Sequence, residues 1–418
     1  MSKENEIIVY AGWEDDRRIG TIYRSQLNGS EVVAFEYDGP WLEKHPDLLL
    51  DPSIAQVRYR TYPGDRMLFG AFEDCCPDRW GRMLIDRRES FRAAESARRP
   101  RQFFETDYLL GVQDNCRQGG FRFKTDPDGP FLDDDPMPTP PIAAIRELEQ
   151  ISMGYERGDD NRWVKQLVNP GSSLGGARPK ANVIDTSGEL WIAKFPSRND
   201  TYDVGAWEKT VHDLAGACGI RVPESRLCHY SSLGSTFLVR RFDRYYEDGL
   251  MQRIHYASAM TMLQVRDGHT EGTGFPDLAQ ITGQLSTGVD GELEQLYRRM
   301  IFDIAVSNQD DHLRNHGFLL KKDHWSLSPA FDMNPVINAD FLSMNIDEDD
   351  GYRSFDKALE TSDYYHLDHD AAAGIIREIT GIVANNWRKK ASGYGISAGE
   401  QRYMAPAFEL AEQEDRKH

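Results

Sequence analysis

Apolar and polar positions alternate through residues 6–36, with Ile8 and Tyr10, then Gly20-Thr21-Ile22-Tyr23, then Val32-Val33-Ala34-Phe35. A two-residue period sends every second side chain to one face, which predicts short half-buried strands, and Asn28-Gly29 supplies a turn between two of them. The period changes at 101–113 (RQFFETDYLLGVQ), where Phe104, Tyr108 and Val112 recur at four-residue spacing and predict a helix. Gly119-Gly120-Phe121-Arg122-Phe123 reads as a short closing strand. Residues 1–124 are therefore expected to form one small α+β subdomain.

The pattern stops at 125–141 (TDPDGPFLDDDPMPTPP), which holds six prolines and five aspartates and no apolar period. It is expected to be a linker and the main domain boundary. Beyond it, 142–168 reads as one or two helices. Residues 181–195 read as a hairpin turning at Thr186-Ser187-Gly188, and 202–218 as an amphipathic helix with Ala206, Leu214 and Cys218 near one face and Gly219 at its end. A strand is expected at 236–242. From 257 onward the period becomes helical. The clearest stripe is Leu293, Leu296, Tyr297, Met300, Ile301 and Ile304 in 291–306, with Asp290 as the expected N-cap. The last fifty residues again read as helical, with Ile375, Ile379, Ile382 and Val383 on one side.

Composition narrows the classes. At 418 residues the chain exceeds one ordinary core, and 28% charged with 39% hydrophobic residues is normal for a globular protein. No apolar run has the length of a membrane span, and the start MSKENEIIVY lacks the form of a signal peptide, so a cytoplasmic protein without membrane contact is expected. Cys75, Cys76, Cys116, Cys218 and Cys228 have neither zinc-site nor disulfide-framework spacing, and are expected to be reduced thiols. A formal charge of −19 argues against direct grip on nucleic acid, whatever the local clusters Arg87-Arg88 and Arg98-Arg99-Pro100-Arg101 do at a helix end.

Candidate chemistry concentrates in Asn308-Gln309-Asp310-Asp311-His312-Leu313-Arg314-Asn315, directly after the apolar helix. An Asp followed five positions later by an Asn is the spacing of a kinase catalytic loop, in which the Asp accepts the substrate hydroxyl proton and the Asn ligates Mg²⁺. Composition alone would give about one or two such pairs in a chain of this length, so spacing by itself decides nothing. Context adds weight: Ser328-Pro329-Ala330-Phe331-Asp332 places a second carboxylate after a strand end, where a hard oxygen ligand could meet a metal. Upstream, Gly171 to Lys180 is rich in Gly, Ser, Arg and Lys, a turn that could either be plain or cradle phosphate. Lys194 lies in a hairpin strand, followed by a helix bearing Glu208, the order of a Lys–Glu pair that places an ammonium on phosphate. Glu224 is an alternative acid.

The run GGARPK, the IAKF and VRRFDR strands, the NQDDHLRN loop and the SPAFD segment together resemble the HipA family of bacterial serine/threonine kinases, toxins of type II toxin–antitoxin modules. GTIYR, FEYDGPWL and GVQDNCRQGGFRF resemble that family's N-terminal subdomain. The resemblance implies an α+β, two-lobed protein-kinase-like fold: an N-terminal subdomain (1–124), the linker (125–141), a strand-containing small lobe (142–250) and an all-helical large lobe (251–418). It implies ATP and Mg²⁺ as cofactors, Asp310 as catalytic base, and Asn315 and Asp332 as metal ligands. Leu174, Gly175, Gly176, Ala177, Arg178 and Lys180 would lie over the phosphates, with Lys194 contacting them and His312 also at the cofactor. The backbone at Arg240, Arg241 and Phe242 would hold adenine. Ser173, with Ser172 beside it, would be the autophosphorylation site that shuts the kinase off, since added negative charge repels ATP phosphates.

Three features depart from the family pattern. Arg178-Pro179 stand where better-known members have Gln-Glu, Arg240 replaces a commonly acidic hinge residue, and the acidic linker is extra. The implied partners are a protein substrate connected with translation, such as an aminoacyl-tRNA synthetase, and a HipB-like helix-turn-helix antitoxin, through which alone DNA would be reached. Two other readings are a small-molecule kinase of the aminoglycoside type and a catalytically silent co-repressor.

Overall fold

The computed structural model describes residues 4–132, 139–157, 178–247, 249–266, 268 and 272–418. The chain divides into two compact units, one of residues 1–198 with 243–257, the other of 199–242 with 258–418.

In the first unit, β1 (Asn5–Ala11), β2 (Arg17–Leu27), β3 (Ser30–Tyr37) and β4 (Phe121–Lys124) form an antiparallel sheet in the order β3-β2-β1-β4. The expected alternation is realised: Ile7, Val9, Ile22, Phe35, Phe121 and Phe123 are buried, and Phe72 joins the layer with its ring 5.4 Å from Phe35 and 5.5 Å from Phe121. At the β2–β3 turn Asn28 and Gly29 both have positive φ (52° and 83°), the backbone that matches strand twist in a two-residue hairpin. The helix expected over 101–113 is shorter, α2 (Glu105–Leu110), preceded in the chain by α1 (Arg79–Glu95). It stops early because the buried Arg117 guanidinium takes the Leu109 and Val112 carbonyls, at 2.6 and 2.9 Å. Its buried residues are Thr106 and Leu109, with Val112 buried just beyond its end, while Phe104 and Tyr108 are only part-buried.

The same unit holds α3 (Ile145–Arg157), the first of the helices expected in 142–168; residues 158–168 lie outside the described set. The expected hairpin is β5 (Lys180–Ile184) with β6 (Leu190–Lys194). Asp185 organises its turn by accepting from the Ser187 and Glu189 N–H groups and Trp191 Nε1, while Gly188 takes a φ of 87°. Trp80 on α1 donates to the Lys180 carbonyl at 3.0 Å and holds the hairpin edge.

The second unit carries α4 (Val204–Ala217), packed on the β7–β8 hairpin (Ser225–Ser231, Gly234–Arg240). Asp203 caps α4 by accepting from the Ala206 N–H, and Gly219, at φ 72°, lets the chain leave it. Then follow α5 (Phe275–Leu285), α6 (Val289–Val306), α7 (His369–Gly393), α8 (Ala398–Met404) and α9 (Glu409–Asp415). All six stripe residues named for α6 are buried. Its N-cap is Gly288 rather than Asp290, which lies inside the first turn and meets His366 at 2.8 Å. On α7, Ile375, Ile379 and Val383 are buried and Ile382 is half-buried.

The segment after residue 250 is not all-helical. Gly317–Lys321 and His324–Leu327 pair as an antiparallel hairpin. Two apolar runs too short for helices, GFLL and WSL, flank a polar turn in which Lys322 has φ 58°, and both strands are buried on both faces. The C-terminal helices clamp α4: Glu400 accepts from Trp207 Nε1 and the Asp203 N–H at 2.9 and 3.0 Å, and Phe408 stacks on Trp387 at 4.4 Å. Among the described residues no helix is long and apolar enough to cross a membrane.

Candidate active site

The most elaborate polar construction in the second unit lies where α6 ends. Ser307 turns the chain with a left-handed backbone (φ 57°), and the Asn308 N–H reaches back to the Asp303 carbonyl. The following loop, expected to be catalytic, leaves the Asp310 carboxylate exposed while its neighbours are anchored. The Gln309 carbonyl accepts from the Ser343 N–H and hydroxyl, and the Met260 N–H donates to the Leu313 carbonyl. The Ala259 N–H donates to the His316 carbonyl. The Asp310 carboxylate is thus presented by a loop that cannot easily move.

Asn315 is 8% exposed, and its Nδ2 donates to the Asp310 carbonyl at 3.2 Å. With the amide nitrogen so engaged, its oxygen is the atom offered elsewhere. Asp332 is half-buried and has φ 61°, a left-handed conformation that Asp tolerates better than most residues. The preceding Phe331 packs 5.4 Å from Phe242, so one predicted adenine-side residue does come up against the predicted metal segment. The Asp332 carboxylate and the Asn315 amide oxygen are hard donors, and this chemistry suits Mg²⁺ rather than a soft metal.

Beneath the loop lies a buried group that the sequence analysis passed over. His316 Nε2 and Asp311 Oδ2 are 2.7 Å apart, closing the segment that contains Asn315. Asn308 Nδ2 donates to Asp303 Oδ1 at 2.9 Å, and Asn308 Oδ1 accepts from the Asn334 N–H at 3.0 Å. Burial pushes the Asp303 carboxyl well above the usual carboxylate range, the nearby Asp311 charge adding to it. Burial likewise raises Asp311, to about 7. Burial drives the His316 imidazole down to about 3, with the Arg299 charge adding, and lowers the Arg299 guanidinium to about 10. Arg299 donates to the Ser328 carbonyl, and Arg353 to the Ile304 and Ala339 carbonyls. The available signal was Arg299 and Asp303, four residues apart on an otherwise apolar helix face.

The remaining predicted residues fall as follows. Ser172, Ser173, Leu174, Gly175, Gly176 and Ala177 lie outside the described residues. In the first unit Arg178 donates to the Phe195 carbonyl at 3.1 Å. Lys180 and Lys194 stand directly opposite each other in the β5–β6 register, so both side chains leave the same face. In the second unit Glu208 is buried on α4, Arg241 is buried, and Arg240 is half-buried with its N–H on the Glu224 carbonyl. His312 is half-buried, and its carbonyl accepts from the Asn315 N–H at 2.7 Å.

Residues 172–387, just over half of the chain, match the HipA-like C-terminal domain family. The chain belongs to that family. Two curated relatives align with it: "Putative kinase Y4mE" of Sinorhizobium fredii, 25% identical over 61% of this chain, and a "Putative kinase" of Haemophilus influenzae, 24% identical over 41%. The chain spans 63% and 55% of those relatives' own lengths. Among solved structures, the Shewanella oneidensis HipA, determined in a complex of HipA, HipB and operator DNA, superimposes with a TM-score of 0.69. That likeness covers 99% of this chain and 97% of the other at 18% identity, and it establishes a shared mixed fold of sheets and helices. The HipA resemblance read from five short motifs is thereby borne out.

Proposed function

We propose that this HipA-family chain is a serine/threonine protein kinase that transfers the γ-phosphoryl group of ATP, with Mg²⁺, to a protein hydroxyl. The observation that carries this reading is the second unit's arrangement of an exposed Asp310, an Asn315 amide held on the Asp310 backbone, and Asp332 on a segment bonded to the same loop. Asp310 would orient the hydroxyl and take its proton, as an exposed carboxylate on an immobile loop can. Asn315 and Asp332 would hold the metal. When bound, Mg²⁺ supplies neutralisation of phosphate charge. Lys194 would contact phosphate, the 174–180 loop with Lys180 would lie over it, and the Arg240–Phe242 backbone would meet adenine.

The finer organisation belongs to the same reading: a linker at 125–141, a small lobe over 142–250 and a large lobe after it. Autophosphorylation at Ser173, or Ser172, would switch the enzyme off. A HipB-like antitoxin would bind the chain and provide its DNA contact, the strong negative charge favouring a basic partner. The substrate would be a protein of translation, and the chain would work in the cytoplasm.

The test is incubation with γ-labelled ATP and Mg²⁺, followed by mass spectrometry of the chain. Phosphate on Ser173 or Ser172, absent in Asp310→Ala, is the expected result. Transfer to an aminoglycoside with none to protein would replace this reading with a small-molecule kinase. Absence of both nucleotide binding and transfer would replace it with a silent co-repressor.

A further inference from the structure

Asn308 has no charge and stands two positions ahead of Asp310, yet it is 1% exposed and bonded at both ends of its amide. Its Nδ2 donates to Asp303 Oδ1 at 2.9 Å, anchoring it to α6, and its Oδ1 accepts from the Asn334 N–H at 3.0 Å. Asn334 lies two residues beyond Asp332. A parallel tie runs from the Val336 N–H to the Ser307 carbonyl at 3.0 Å. The segments that carry Asp310 and Asp332 are therefore joined side by side, and Asn308 contributes its side chain to that joint.

We propose that Asn308 is a positioning residue that sets the distance between Asp310 and Asp332. The proposal rests on the kinase reading, in which those two acids must face one phosphoryl group. Three observations support it. The bridge is side chain to backbone, so it fixes the chain two residues after Asp332 rather than a mobile side-chain tip. The Asp332 backbone is already left-handed at φ 61°, so the direction of the chain on its far side decides where its carboxylate points. The amide must donate at one end and accept at the other, which no apolar or singly functional side chain of that size can do. An acid lacks the donor, and Gln carries the amide one methylene further out. Displacement of a reacting group by about 1 Å costs on the order of a hundredfold in rate, so a short amide can matter this much without touching substrate.

The experiment uses the full chain in four forms: wild type, Asn308→Ala, the double exchange Asp303→Asn with Asn308→Asp, and Asp310→Ala as the blank. In the exchange, the carboxylate introduced at 308 can accept both from the amide introduced at 303 and from the Asn334 N–H, so the bridge survives with its donor and acceptor reversed. Rates of phosphoryl transfer are measured against ATP and against Mg²⁺, with thermal melting of each form alongside. Asn308→Ala is expected to lower kcat by about tenfold to a hundredfold and to raise the Mg²⁺ concentration for half-maximal rate, with the KM for ATP little changed. The exchange is expected to recover most of the kcat and the Mg²⁺ response. A purely structural asparagine would change melting without separating kcat from KM. Wild-type kcat and Mg²⁺ dependence in Asn308→Ala overturn the proposal, as does a folded exchange variant no better than Asn308→Ala. A wild type no faster than Asp310→Ala overturns the kinase reading itself, and the positioning role with it.

Discussion

The two units each bury a charged cluster, and the clusters are built on opposite electrostatic plans. In the first unit Asp114, 1% exposed, receives Arg122 Nη2 at 2.7 Å and Arg253 Nη2 at 2.8 Å on one oxygen. Burial would push its carboxyl up, but the Arg253 and Arg122 guanidiniums override burial and hold it below the usual carboxylate range. In the second unit Asp303 and Asp311 face each other while the buried Arg299 and Arg353 guanidiniums donate to backbone carbonyls, and both acids are pushed up. The first cluster is matched and ionised, as structural networks are. The second packs like charges beneath a loop that offers an exposed acid, and strained titration of this kind gathers at functional sites.

The comparison can be broken most sharply at Asp114. Asp114→Ala leaves two guanidiniums facing each other in the core and is expected to cost about 3–5 kcal/mol in chemical denaturation. Asp310→Ala is the counterpart: phosphoryl transfer is expected to fall by at least about a hundredfold, with the melting temperature within a few degrees of wild type. If Asp310→Ala melts like a core variant instead, the exposed acid is structural and the contrast fails.

The pH dependence separates the clusters by sign. Asp114 is depressed, so its contribution is present above the ordinary carboxylate pKa and lost as pH falls through its own lowered value. Asp303 and Asp311 are raised, so theirs is full below the ordinary carboxylate pKa and lost as pH rises toward about 7. His316, lowered to about 3, works against them by losing stability as pH drops below the ordinary imidazole value. Asp303→Asn removes part of the acid-side slope. Its melting temperature relative to wild type is therefore expected to rise between pH 4 and pH 7, which calorimetry at several pH values would reveal. A flat difference would mean that the two acids do not titrate in this window.

The smallest expected effect is at Asp332. Ala in a left-handed backbone costs roughly 1–2 kcal/mol and Asn much less, so Asp332→Ala should be measurably less stable than Asp332→Asn while both lose activity. Equal stability would remove the strain from the description of this segment.

What could be read without coordinates was local. The β5–β6 hairpin announced itself because its alternation and its Thr186-Ser187-Gly188 turn agree, and α6 because six buried side chains repeat on one face. The Asp310, Asn315 and Asp332 order was legible for the same reason, as short spacing on consecutive elements. What escaped was set by distant partners. Arg117 truncates α2 through carbonyls, and Asn308 binds Asn334 across a 26-residue separation. Neither leaves a periodic trace. Of the hairpin within the expected helical region, the strand end before Ser328 was read, but the strand Gly317–Lys321 was missed because buried strands show no alternation.

The left-handed backbone at Asp332 also shapes how the protein could change over generations. One base change turns an aspartate codon into asparagine, glycine, alanine, valine, histidine, tyrosine or glutamate. Of these, asparagine and glycine accept a positive φ at little strain. On the kinase reading, lineages that abandon phosphoryl transfer but keep the fold are expected to drift first to asparagine or glycine at this position, a fossil record of lost catalysis written by conformation rather than by chemistry.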